Sequence, residues 1–205
     1  EALVIRRTHL LACLTVLAVG LLALAGCATK GAVNLDLQAV QPAEAKSKKA
    51  DGLAVTVASF EDSRPEKSRL GVRRHFWGGE TTFNVPGGKP GDVVAKVLTD
   101  YLKRKGWRVD GSPDVSFSGK LLNLSVNAES HFGQTDITVK SKMVVEGTNK
   151  ADGSIVRMTL NGDGTQKVFW FDPEDAQELA SEVLSDSLEK LLANTKVENN
   201  LLRLK

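Results

Sequence analysis

The chain has 205 residues, with 27 Lys and Arg against 25 Asp and Glu, a formal net charge of +2. So even a balance gives no single-sign field of the kind that nucleic-acid binding depends on, and no nucleic-acid partner is expected. Two cysteines, Cys13 and Cys27, are too few for a disulfide framework, and 41% apolar with 25% charged residues describes a folded domain rather than a disordered chain.

Arg6 and Arg7 precede a nearly continuous apolar run, Leu10 to Ala23. At about 14 residues it falls short of the roughly 20 that a transmembrane span needs. It ends in Leu24-Ala25-Gly26-Cys27, a small-small-Cys lipobox. These are the parts of a lipoprotein signal peptide over residues 1–26, cut before Cys27 once its sulfur carries diacylglycerol. An ordinary secretory signal or an N-terminal anchor helix is the competing reading. The expected covalent groups are diacylglycerol and an N-acyl chain on Cys27, with no dissociable cofactor. At about 0.8 kcal/mol per buried CH2, two or three acyl chains hold a protein persistently in a membrane. Ala28, not Asp, follows Cys27, which points to the outer membrane with the domain facing the periplasm. Cys13 leaves with the leader and Cys27 is consumed by lipid, so no thiol remains for a disulfide, a metal or a nucleophile.

Residues 27–50 read as the lipidated cysteine and a flexible tether, with a short early strand over Val33–Leu37. Lys46, Lys48 and Lys49 are either solvated or close to anionic headgroups. A single domain is expected over 51–197. Leu53–Phe60 alternates with period two and reads as a strand that ends by Pro65. An irregular stretch rich in Gly and Arg follows to about Pro90, with His75-Phe76-Trp77 and Thr81–Val85 as a short strand pair. A helix then begins near Asp92, its N-cap. Its apolar stripe is Val93, Val94, Val97, Leu98, Tyr101 and Leu102, and Gly106 is its C′ residue.

Three longer strands come next. Val115, Phe117, Gly119 and Leu121 share one face, but Leu122, Leu124, Val126 and Ala128 have the opposite parity, so a β-bulge is expected near Lys120. Ile137, Val139, Met143 and Val145 alternate through the second strand, and Asn149–Gly153 turns into the third. There Val156, Met158, Leu160, Gly162, Gly164, Val168 and Trp170 share a parity. The two glycines imply a helix packed closely over them, unless Asn161–Gly164 is a turn that splits the strand. Asp172-Pro173-Glu174-Asp175 opens a second helix with the stripe Ala176, Leu179, Ala180, Val183, Leu184, Leu188, Leu191 and Leu192. It ends near Asn194, and residues 198–205 read as a polar tail. The expected fold class is α+β: a two-layer, mostly antiparallel sheet of about four to six strands with two helices on one face.

The lipobox, the strand end Val57-Ala58-Ser59-Phe60-Glu61-Asp62-Ser63-Arg64, the helix end Leu102-Lys103-Arg104-Lys105-Gly106-Trp107-Arg108-Val109 and the strand Val115–Ala128 follow in an order that resembles the YajG family of bacterial lipoproteins. The likeness covers roughly residues 50–197 and rests on structural, not catalytic, motifs. It implies a periplasmic α+β domain anchored at the outer membrane. Phe60–Arg64 is also distantly similar to the amino-terminal domains of CsgG and TolB, although the pore-forming and propeller segments of those proteins have no counterpart here.

Catalytic signatures are few. His75 and His131 are isolated from each other in sequence, so neither a triad nor a zinc site is expected, and no metal ligands are assigned. Asp62 with Arg64 reads as a loop-closing ion pair, and Gly87-Gly88-Lys89 is only a faint anion-binding pattern. Arg73-Arg74-His75-Phe76-Trp77 is the surface candidate: a recognition patch for a protein edge, a glycan or a lipid headgroup, or a plug in which Phe76 and Trp77 close the core while the arginines stay solvated. The expected function is non-catalytic, the docking of a protein partner in a cell-envelope assembly. The alternative is a binder or carrier of lipid or peptidoglycan fragments, which would need a cleft between helices and sheet.

Overall fold

The computed structural model describes residues 31–40, 53–109 and 111–205. The leader, the lipobox residues Leu24, Ala25, Gly26 and Cys27, and the lysine cluster at 46–49 lie outside the described residues. The elements in chain order are β1 (Gly31–Asn34), β2 (Ala54–Val57), β3 (Glu61–Asp62), β4 (Gly71–Arg74), β5 (Glu80–Asn84), α1 (Pro90–Arg104), β6 (Arg108–Val109), β7 (Val115–His131), β8 (Gln134–Asn149), β9 (Ile155–Val168), α2 (Pro173–Ala193), β10 (Thr195–Glu198) and β11 (Leu201–Leu204).

Strand β7 organises the sheet. One of its edges pairs with β8 along its whole length, and β9 pairs with the far side of β8, all antiparallel. Its other edge takes short strands end to end, each parallel to it: β2 at Val115–Phe117, β3 at Lys120–Leu121 and β4 at Ala128–Glu129. β6 extends β2, while β5 and then β1 extend β4. The result is one mixed nine-stranded sheet that curls into a half-barrel. This corrects the expected two-layer, mostly antiparallel arrangement of about four to six strands. Strands of two to four residues hold too few alternations to register as periodic, and pairing direction is set by the connections rather than by side-chain period. The strand pair expected from His75–Trp77 and Thr81–Val85 is formed instead by β4 and β5, with His75–Gly79 as the turn between them.

The three long strands and both helices form where the apolar patterns place them. The bulge in β7 lies between Leu121 and Asn123, so Leu122 is the extra residue. It restores the inward parity: Val115, Phe117 and Leu121 before it, and Leu124, Val126 and Ala128 after it, are all buried. Strand β9 runs unbroken through Asn161–Gly164, with Gly162 and Gly164 beneath α2. A Cβ on Gly162 would lie 2.4 Å from Ser187 Oγ, and one on Gly164 would lie 2.6 Å from Val183 Cγ2, so the helix approaches a surface that only glycine supplies. Helix α2 starts at a capping box in which Asp172 accepts from Glu174 N and Asp175 accepts from Asp172 N. Helix α1 ends at Gly106, whose φ of 86° is left-handed, as its C′ position requires. At the other end Lys89, not Asp92, holds the N-cap position; Asp92 lies in the first turn.

Both chain ends of the domain differ from expectation. Residues 31–40 are packed structure, not mostly tether. β1 joins the sheet edge, and Leu35, Leu37 and Ala39 are buried in the core. The alternate amides of Asp36, Gln38 and Val40 donate to Gln177 Oε1 (2.8 Å), Ser181 Oγ (3.1 Å) and Ser185 Oγ (2.9 Å). Those acceptors recur every four residues, so one face of α2 serves an extended strand that has no sheet neighbour there. The expected polar tail is the hairpin β10–β11, with Leu202 buried. Asn149, fully buried, accepts from Leu202 N at 2.7 Å and donates to Leu202 O at 3.0 Å, pairing with the hairpin as a strand would. Arg203 reaches Asp152 at 2.7 Å, and the Asp152 carboxyl is held down at about 2, first by Ser154 and then by Arg203.

Candidate functional site

Three chain corners meet at one end of the half-barrel. The β4–β5 turn carries His75, Phe76 and Trp77. The β7–β8 corner is the two-residue loop Phe132-Gly133, closed between His131 and Gln134, with Gly133 at φ 75°. The third corner is Phe169-Trp170-Phe171, between the end of β9, where Val168 pairs with Thr135, and the start of α2. A loop this tight leaves Phe132 no core to enter, and 88% of it is exposed. Trp77, Phe169 and Trp170 are 91%, 84% and 92% exposed, and Phe76 is 47% exposed. Phe76 meets Trp77 edge-on at 4.8 Å between centroids and Phe132 at 6.3 Å. An open hollow of about 430 Å³ lies among these corners.

The polar members of the end are held, not free. Arg73 lies with its guanidinium 4.2 Å above the ring of Phe171, and its Nε donates to Ser130 Oγ at 3.1 Å. Burial lowers its pKa from the ordinary value. Phe171 in turn packs on Phe83 of the core at 6.1 Å. Arg74 pairs with Glu80 at 3.4 Å on the surface, and His75 Nε2 is 2.8 Å from Thr81 Oγ1. Asp136 sits between His131 (3.6 Å) and Lys167 (3.7 Å). So within Arg73–Trp77 the arrangement is the reverse of a plug: the aromatics are outside, and the first arginine is the packed residue. Each exposed Phe or Trp keeps in water a side chain whose full burial stabilises by about 1.5–3 kcal/mol, so five side by side form a surface that gains by being covered.

The sequence marked Arg73, Arg74, His75, Phe76 and Trp77 but not Phe132, Phe169 or Trp170, which complete the surface. Trp170 was assigned to the inward parity of β9; the strand ends at Val168 and the side chain points to solvent. The available signal was bulky aromatics at corner positions, where turn chemistry favours Gly, Asn, Asp and Ser.

Elsewhere the charged candidates serve the fold. Asp62 and Arg64 form a bidentate pair, Nε to Oδ1 at 2.9 Å and Nη2 to Oδ2 at 3.0 Å, while Arg64 Nη1 donates to the carbonyls of Arg69 and Leu124. Glu61 turns the other way, to Lys120 at 2.9 Å, so the adjacent carboxylates do not converge. At the entry to α1, Asp92 accepts a hydrogen bond from Ser59, putting a carboxylate where an anion would bind at the helix N-terminus. Tyr101 donates to Glu189, which also pairs with Lys105 at 3.0 Å, tying α1 to α2. Burial first, and then Glu189, raise the Tyr101 pKa from its ordinary value. Among the described residues no group of three or more His, Cys, Asp and Glu could hold a metal, and no helix is long and apolar enough to cross a membrane.

No protein-family model and no curated protein matches the chain. Among solved structures, an uncharacterised protein superposes with a TM-score of 0.50 at 10% identity, covering 80% of this chain and 97% of that one. A Xanthomonas campestris protein from a domain family of unknown function gives 0.49 at 11% identity, over 78% and 91% of the two chains. A lipoprotein from Neisseria meningitidis gives 0.37 at 9% identity, over 69% and 99%. The first likeness shows a shared fold; at scores below 0.5 the other two carry no argument. None of the three bears the YajG name.

Proposed function

We propose that this chain is a non-catalytic lipoprotein of the cell envelope, held in the outer membrane by diacylglycerol and an N-acyl chain on Cys27, whose domain faces the periplasm and docks in an envelope assembly. The observation that carries the reading is the aromatic end: five large apolar side chains, from three separate corners, are exposed around one hollow, while its titratable members Arg73, His75 and His131 are engaged with Phe171 and Ser130, with Thr81 and with Asp136. The lipobox and the YajG-like order of motifs support the anchored part of the reading. A carrier of lipid or peptidoglycan fragments would need a cleft between helices and sheet. That space is filled by Val94, Leu98, Leu179, Val183 and Leu188 against the strands, all buried.

The test is to express the chain with its own leader in a Gram-negative host beside a Cys27→Ser variant, with a clickable palmitate analogue in the medium. The wild type should take up label and fractionate with the outer membrane, and the variant should lose both. Unlabelled wild-type protein released as a soluble periplasmic species would overturn the proposal.

A further inference from the structure

We propose that the aromatic end docks on the bilayer that holds the chain's own lipid, with Phe76, Trp77, Phe132, Phe169 and Trp170 seated in its headgroup and upper acyl region. This rests on the lipidated Cys27 of the reading above and goes beyond it: the aromatic end is given to the bilayer, and docking within an envelope assembly falls to the surfaces left open.

The first support is the direction in which the chain enters the sheet. β1 runs parallel to β5, with Gly31 opposite Thr81. Thr81 is opposite Arg73, and Arg73 is opposite Ala128. These four residues form one rung across the sheet, and both β5 and β1 leave it travelling away from the aromatic end. The rung lies three residues below His131 at the β7–β8 corner, a rise of about 10 Å. Cys27 precedes Gly31 by four residues, at most about 14 Å of chain. The lipid attachment point can therefore be brought level with the aromatics. The opposite end of the sheet, at Val115 and the Asn149–Gly153 turn, is about 43 Å further along β7 and out of the anchor's reach. Of the two ends of the half-barrel, the aromatic one lies within the anchor's reach.

The second support is the chemistry of that end. Trp concentrates where a bilayer meets water, because its ring is apolar while the indole N–H finds a polar partner, and Phe joins it on the apolar face of interfacial elements. Most of the nearby charges are matched: Asp172 and Asp175, just after Phe171, are turned into the capping box of α2, and Glu174 stays exposed in the first turn. Arg74 is matched by Glu80, Asp136 is matched by His131 and Lys167, and Arg73 is folded back on Phe171. What projects furthest is Trp77, Phe132 and Trp170, each about nine-tenths exposed. Seating them fixes the orientation of a domain that a lipid alone would leave to swivel. It also leaves the Asn149–Gly153 end and the polar strand faces open to periplasmic proteins.

The chain contains three tryptophans, and their placement supplies the assay: Trp77 and Trp170 lie at the end, whereas Trp107 is buried in the core at 6% exposure. The full lipidated protein is reconstituted into phosphatidylethanolamine–phosphatidylglycerol vesicles, with and without lipids brominated near the glycerol end of the acyl chains. The proposal expects blue-shifted Trp77 and Trp170 emission, loss of most of that emission to the brominated lipid, and shielding from acrylamide. In the Trp77→Phe, Trp170→Phe double variant the remaining Trp107 signal should be indifferent to bromine. Protein that stays with the vesicles while both end tryptophans remain red-emitting and open to acrylamide overturns the membrane seating and leaves the lipoprotein reading standing. Blue-shifted emission that persists without lipid, together with self-association of the Cys27→Ser chain, assigns the end to a second copy and overturns the seating as well. Protein that carries no lipid on Cys27 and leaves the vesicles overturns both.

Discussion

Replacing Arg64 by alanine is expected to cost about 3 kcal/mol, the low end for removing one partner of a buried, hydrogen-bonded ion pair, because Asp62 keeps partial access to water. Arg64 is 3% exposed, and it holds Asp62 through two parallel bonds and the carbonyls of Arg69 and Leu124 through a third nitrogen. The link joins β3 to the end of the Pro65–Leu70 connection and to β7 next to its bulge, so its loss leaves the Asp62 carboxylate without its partner and strands the Leu124 carbonyl. Lysine cannot replace the fork and should recover little. Against a typical domain stability of 5–15 kcal/mol the change is large, and a lower urea midpoint at unchanged slope would report it. The same pair predicts an acid dependence. The Asp62 carboxyl is held below its ordinary value of 3.8, mainly by the hydrogen bonds from Arg64. A group lowered in the folded state contributes stability that is fully present above its unfolded value and is lost as pH falls through the folded one. Wild-type stability should therefore fall more steeply than that of Arg64→Ala below pH 3.8. Parallel acid profiles would show that the pair does not couple to folding.

Leu37→Ala should cost about 2–5 kcal/mol, the range for truncating a leucine in a closed core. A flexible tether would predict a change within about 0.5 kcal/mol, so this one variant separates the two accounts of residues 31–40. Leu37 is 1% exposed, between Leu35 and Ala39 in a segment whose amides are bound to α2. Thermal or urea unfolding of the two proteins measures the difference. A near-zero result would return the segment to the tether.

Residues 35–40 show where sequence and structure part: the pattern supports a short strand over Val33–Leu37 within a tether, and the structure packs the segment on to Val40. Leu35, Leu37 and Ala39 do alternate with Asp36 and Gln38, but the pattern is short, and its partners Gln177, Ser181 and Ser185 are more than 140 residues away. Nothing local identifies a serine on the buried side of α2 as an acceptor for a strand. The helices and β7–β9 were legible because each repeats its period many times, and because Gly106, Asp172 and Pro173 punctuate them. The bulge was legible to within two residues because a parity break has only one cheap repair. The short parallel strands were not, since β3 is only two residues, Glu61-Asp62, and β4 has one buried apolar side chain, Val72. Two of the five exposed aromatics, Phe76 and Trp77, were readable within Arg73–Trp77. The remainder, Phe132, Phe169 and Trp170, belongs to it only because β7, β8 and β9 turn or end on the same side of the half-barrel.

Photocrosslinking in intact cells shows what covers the aromatic end. Benzoyl-phenylalanine is placed at Trp77 in one chain and, as a control, at Thr159 on the outward side of β9 in another. Seating in the bilayer should give abundant lipid-mass adducts from the Trp77 position and few from Thr159. A discrete protein adduct at Trp77 would keep the docking role and remove the bilayer as its occupant. Equal silence at both positions would mean that the aromatic end faces water, and would contradict the account.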